Sequence, residues 1–241
     1  MHSSIDYLVT GTSSGLGRYL RASLGGDAFV RESDAVCLSA PYKYLIHCGF
    51  GRPNDYASIS EYIDSQLHQF HQLLPLYDSK FVFISSVEVL AKHSMDSNPY
   101  AYAKSIIESE LSSMSSNVLI LRPGLLFGPG MRPNQLLRIC IEDSPHLSLA
   151  PSSSFGIVFY HQVLDCILSD TSGIINLASQ PYVTLAEVAS LFNNKPLWGS
   201  YIYQTPSLDH DCIPSSQSRN MLQSPLTQLK DFVVKKNYIW S

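Results

Sequence analysis

The stretch Thr10-Gly11-Thr12-Ser13-Ser14-Gly15-Leu16-Gly17 limits the possible folds more than any other part of the chain. It follows Ile5-Asp6-Tyr7-Leu8-Val9-Thr10, a short apolar run that reads as a buried strand. It leads into Leu16, Leu20 and Leu24, spaced to line one face of a helix. Three glycines at such a junction meet three steric demands. Gly11 allows the tight turn, Gly15 lets backbone approach a pyrophosphate on the positive helix N-terminus, and Gly17 lets helix and strand pack closely. Residues 11–17, with Thr12, Ser13, Ser14 and Leu16 between the glycines, are therefore the predicted cradle for a dinucleotide.

Further strands are predicted at 28–30, 44–47, 81–84, 118–121 and 174–177. Helical patterns lie at about 57–76, 100–113, 132–142, 161–168 and 184–193, with a final helix near 225–236. Strands alternating with helices predict an α/β fold: a Rossmann-like, doubly wound parallel sheet covered on both faces. Such sheets bind ligands at the carboxyl ends of their strands. After about residue 125 the pattern is broken by Pro129, Pro133, Pro145 and Pro151, which predicts a small C-terminal substrate lobe. The expected division is 1–125 plus about 155–180 for the dinucleotide domain, and about 126–154 plus 181–241 for the lobe. With 241 residues, 45% of them hydrophobic, the chain can bury such a core.

The bulk numbers exclude other classes. Net charge is −4 and no basic run occurs, so nucleic acid is not an expected partner. No apolar run approaches the roughly 20 residues of a membrane span. The N-terminus has no basic region followed by an apolar core, so no secretory leader is expected. Cys37, Cys48, Cys140, Cys166 and Cys212 are scattered, which fits reduced thiols in a cytoplasmic protein. His47, His71 and His161 lack metal-ligand spacing, and no metal is expected.

The chemistry is expected in Asn98-Pro99-Tyr100-Ala101-Tyr102-Ala103-Lys104-Ser105. Tyr100 and Lys104, four apart, stack on one helix face, whereas Tyr102 points elsewhere. A tyrosine hydroxyl, with a pKa of about 10, is a weak acid near neutrality. A nearby ammonium favours the phenolate and is expected to bring Tyr100 toward the working pH. Ser86, at the end of the Phe81-Val82-Phe83-Ile84 strand, is placed to steady the same substrate oxygen. Ser85 is one residue nearer the strand and is assigned to the cofactor side. Arg31 follows the second strand where an acidic residue would hold a ribose hydroxyl. It favours a 2′-phosphate, hence NADP, with NAD as the alternative.

Together these segments resemble the extended branch of the short-chain dehydrogenase/reductase superfamily. The resemblance rests on TGTSSGLG at 10–17, FISSVEVL at 83–90, PYAYAKS at 99–105 and LRPGLLFGPG at 121–130. It is continued by FYHQVLDCIL at 159–168 and INLASQPYVTLAEVASLF at 175–192. It implies an enzyme, with Tyr100, Lys104 and Ser86 as the catalytic residues. Cys48 and Gly49 of IHCGFG, and Pro123 and Gly124 at the arginine–proline strand end, would line the cofactor. The implied activity is NAD(P)H-dependent reduction of a nucleotide-linked keto-deoxysugar, with Lys104 also holding the ribose hydroxyls. Arg132, Arg138 and Arg219 would grip the nucleotide diphosphate, and Glu88 would face the substrate. An NAD-dependent 4-epimerase and a non-catalytic dinucleotide-binding regulator are the alternatives. A homodimer through the helices at 57–76 and 100–113 is expected by the same analogy.

The sequence departs from the family in several places. The glycines are spaced GxxxGxG. Residues 32 through 43, 12 in all, leave too little chain for a full strand–helix unit. Gln66 stands where the family has a helix asparagine, and Val87-Glu88 is not the adjacent acid pair of a dehydratase. Trp198, Tyr201 and Tyr203 form an aromatic cluster that reads as packing, with stacking on a nucleotide base as the alternative.

Overall fold

Alternate residues of each central strand are apolar on both sides, so the sheet must be covered on both faces. The computed structural model describes residues 6–29, 41–91, 93–114, 117–207 and 224–236; Arg31 and Arg219 lie outside them. In chain order the elements of the sheet half are β1 (Tyr7–Thr10), α1 (Gly15–Leu24), β2 (Asp27–Phe29), β3 (Tyr42–His47), α2 (Ile59–Leu73), β4 (Tyr77–Ile84), α3 (Pro99–Ser113) and β5 (Val118–Pro123). There follow β6 (Leu125–Phe127), α4 (Gln135–Ile141), β7 (Ser154–Phe155), β8 (Ile157–Phe159), α5 (Tyr160–Leu168), β9 (Gly173–Leu177), β10 (Val183–Thr184), α6 (Leu185–Leu191) and α7 (Pro225–Lys236).

Six strands form one parallel sheet in the order β2-β1-β3-β4-β5-β9. One face carries Val9, Ile46, Val82, Leu119 and Leu121 against Leu16 and Leu20 of α1 and Val163 and Ile167 of α5. The other carries Leu8, Leu45, Phe81, Phe83 and Ile120 against Phe70 and Leu73 of α2 and Ile107 and Leu111 of α3. The chain leaves β1 toward β2 on one side and has β3 on the other. The crevice above β1 and β3 is thus a topological switch point, where such sheets bind ligands. Among the described residues β2 and β9 are the two edges of this sheet.

The first core continues without a break into the later segments through Leu136, Leu147, Leu185, Val188 and Leu229. There β6 pairs with β8, β7 pairs with β10, and isolated bridges join His146 to Leu197, Leu149 to Tyr201 and Ser154 to Gln204.

The helix boundaries follow from caps. Asn98 accepts from Ala101 N–H ahead of Pro99 at the start of α3. Asn134 accepts from Leu137 N–H, so α4 starts after Pro133 and not at 132. Thr184 and Glu187 form a capping box at α6. The pattern at 57–76 resolves into α2, capped by Ser58, and a 3-10 turn at Leu74–Leu76. Tyr102 packs beside Tyr62, Ile63 and Ala103 in the seam between α2 and α3, away from the crevice.

The closest fit lies at the glycines. A Cβ on Gly17 would sit 2.3 Å from the Gly11 carbonyl oxygen, and one on Gly11, at φ +70, would sit 2.7 Å from Gly49 N. Gly17→Ala should therefore move the denaturation midpoint down by the equivalent of roughly 1–3 kcal/mol, the usual cost of overpacking. An alanine variant as stable as wild type would contradict this packing.

Candidate functional site

The crevice is built where β1 and β3 end. The buried Thr10 Oγ1 accepts hydrogen bonds from Cys48 N–H at 3.0 Å and Gly49 N–H at 2.8 Å. That leaves its own hydrogen for His47 Nδ1, 2.8 Å away. One hydroxyl thus clamps the IHCGFG turn to the glycine loop. Gln66 holds the same turn from α2. Its Oε1 accepts from Gly51 N–H at 2.9 Å and its Nε2 donates to the Tyr56 hydroxyl at 3.0 Å. Gly15 N–H donates to Gly130 O at 3.1 Å, which ties the start of α1 to the LFGPG turn.

These contacts frame a cavity of about 770 Å³, lined by residues 11–17, Cys48, Gly49, Ser85, Tyr100, Lys104 and Arg132. All of these were predicted from the sequence. Arg52 and Tyr160 also line it and were not. Arg52 comes from the turn after β3 and Tyr160 from the start of α5, and neither position carries a ligand-binding pattern in the sequence.

Helix α3 brings Tyr100 and Lys104 to the cavity side by side. Lys104 is 2% exposed. Its Nζ donates to Ile84 O at 2.6 Å and lies 4.0 Å from the Phe50 ring centre, 4.9 Å from Phe83 and 5.0 Å from Tyr100. Burial pushes the amine down to about 7, against the opposing pull of Cys48 and Glu108. The Tyr100 phenol is pushed up, by burial first and by the Glu88 carboxylate second. This reverses the expectation that the lysine would acidify the phenol. The ammonium lies over the ring face and gives its hydrogen bond to a backbone carbonyl, so desolvation wins.

Ser85 is 2% exposed, and among the described residues no protein group hydrogen-bonds its hydroxyl. Ser86 lies outside the cavity lining; its Oγ accepts from Glu88 N–H at 3.2 Å, which leaves its own hydrogen to donate. Glu88 accepts from the Tyr203 hydroxyl and has His93 Nε2 3.6 Å away. Tyr203 itself stacks on Phe155, with ring centres 4.8 Å apart. The aromatic cluster is therefore split: Tyr203 packs inward, whereas Trp198 and Tyr201 are exposed.

Pro123 and Gly124 do not line the cavity either. Pro123 ends β5, and a Cβ on Gly124 would sit 2.2 Å from Gly156 O, so that glycine serves a chain crossing. Arg138 is also placed away from it, with Nε and Nη2 on Glu142 and Nη1 on His146 O. Arg132 lines the cavity. Among the described residues no group of three His, Cys, Asp or Glu side chains could hold a metal, and no helix is long and apolar enough to cross a membrane.

No family model matches this sequence, and no curated protein matches it by sequence. Solved structures do match its fold. MoeE5 in complex with UDP-glucose and NAD is 16% identical, with 98% of this chain and 100% of that one covered at a TM-score of 0.70. Helicobacter pylori ADP-L-glycero-D-manno-heptose-6-epimerase is 13% identical, with 99% of each chain covered and a TM-score of 0.73. RMD from Pseudomonas aeruginosa complexed with NADPH is 16% identical over 84% of this chain and 89% of that one, at 0.62. The chain therefore has the fold of these dinucleotide-bound and nucleotide-sugar enzymes.

A lysine held down to about 7 binds fewer protons folded than unfolded between about pH 7 and 10.5. Its cost to stability is full below pH 7 and fades as pH rises toward 10.5. Lys104→Met should thus raise the melting temperature at pH 6–7, and the gain should shrink by pH 10. A gain independent of pH would show that Lys104 is charged in the fold.

Proposed function

We propose that the chain is an NAD(P)-dependent oxidoreductase of the short-chain dehydrogenase/reductase type that reduces a nucleotide-linked keto-deoxysugar. The observation that carries this reading is the side-by-side placement of Tyr100 and Lys104 in the cavity lined by the glycine loop. The glycine loop, α1 N-terminus and clamped IHCGFG turn fit a dinucleotide, because only positions without a Cβ permit that close backbone packing. The nicotinamide, when bound, supplies the hydride.

The protein's own residues supply the rest. Tyr100 gives its proton to the ketone oxygen, and its raised pKa keeps that proton in place at neutral pH. Lys104, able to change charge near pH 7, returns a proton to the phenol and holds the ribose. Ser86 uses its spare hydrogen to steady the same oxygen, and Ser85 offers its hydroxyl to the cofactor. Arg132 takes the substrate diphosphate, within a lobe formed by about 126–154 plus 181–241. NADP is favoured by Arg31. The same reading includes a homodimer through α2 and α3 and a cytoplasmic location.

Tyr100→Phe should lower NAD(P)H oxidation with a panel of nucleotide keto-sugars by about 100-fold or more. Dinucleotide affinity should stay within about threefold. An unchanged rate would exclude the phenol as the acid. Bound NAD that co-purifies and turns over without net consumption would instead favour a 4-epimerase.

A further inference from the structure

Tyr160 opens α5 and is 4% exposed, yet it lines the cavity. Its ring occupies space that only a glycine leaves free: a Cβ on Gly128 would fall 1.9 Å from the ring. Tyr19 closes another side, with ring centres 5.6 Å apart. The ring is thus fixed, and its hydroxyl is carried up to the glycine loop, 3.1 Å from where a Cβ on Gly15 would sit. Among the described residues no protein group hydrogen-bonds that hydroxyl. The hydroxyl faces the cavity, where a ligand acceptor could take its hydrogen.

A second observation concerns the neighbouring amide. The first N–H of α1, that of Gly15, is spent on Gly130 O, and the Ser14 side chain makes no capping hydrogen bond. The helix end that should meet an anion has given up one donor, and the Tyr160 hydroxyl stands beside it.

Building on the reading that the cavity holds a dinucleotide, we propose that the Tyr160 hydroxyl donates a hydrogen bond to the cofactor's pyrophosphate. Gly128 is then a positioning residue, present to admit the ring. Burial, with Cys48 second, pushes the phenol up to about 12, so it remains a donor throughout the neutral range. The LFGPG turn thereby serves the cofactor twice, through Gly130 on the loop backbone and through Gly128 under the tyrosine.

The test is calorimetric titration of wild type and Tyr160→Phe with NADPH, NADH and ADP-ribose, plus melting curves without ligand. The phenylalanine keeps the ring and its packing, so the unliganded melting temperature should be unchanged or slightly higher. Affinity for the preferred dinucleotide and for ADP-ribose should fall alike, by about tenfold to 100-fold, as expected for a lost hydrogen bond to a charged group. Equal affinity in the two proteins would overturn the assignment and leave the cofactor reading intact. A loss restricted to the dinucleotides would place the contact on the nicotinamide half and overturn it too. A lowered melting temperature would make Tyr160 a structural residue. If wild type bound neither dinucleotide nor ADP-ribose, the underlying reading would fail as well.

Discussion

The site depends on backbone meeting backbone at the mouth of the sheet. Gly11 and Gly49 touch, Gly17 presses on Gly11, and the Thr10 hydroxyl draws two amides of the β3 turn onto β1. A buried hydroxyl with both acceptor positions and its single hydrogen engaged is fully satisfied, so Thr10 is buried without an unmet hydrogen bond. Remove the fit and the glycine loop cannot lie flat against the β3 turn. The parallel sheet, the apolar helices and the caps serve to bring these few backbone atoms together.

Within this frame helix α3 pays a cost. Lys104 is almost fully enclosed, with aromatic faces around it and one carbonyl for its ammonium. Its low proton affinity and the high proton affinity of Tyr100 have the same origin, the removal of water from both. The phenol stays neutral and the amine changes charge near pH 7, so the two do not form a standing ion pair. A neutral phenol beside an amine of intermediate basicity is suited to giving a proton and regaining it.

Much of this was legible in the chain. The β1–glycine–α1 junction, the strands at the sheet centre and the i, i+4 pairing of Tyr100 with Lys104 are local patterns, and local patterns survive into the fold. The direction of the Tyr100 shift was not legible, because desolvation is a property of the assembled core. Tyr160 and Arg52 were missed for a related reason: each belongs to a segment distant in sequence from the glycine loop, and only the assembled fold brings it to the cavity. Arg138 looked like a phosphate partner until its i+4 neighbour, Glu142, proved to hold the fork. Residues 30–40 lie outside the described part, so Arg31 keeps only its sequence argument.

The link between Tyr203 and Glu88 joins segments 115 positions apart. Tyr203 belongs to the late strand-like segment laid along Ser153 and Ser154, and Glu88 stands just past the end of β4. The carboxylate it holds is one of the charges felt by Tyr100. Any hinge motion that lifted the late segment from the sheet would release that carboxylate and change the acidity of the phenol in the same stroke, so mechanical opening and proton affinity share one coordinate.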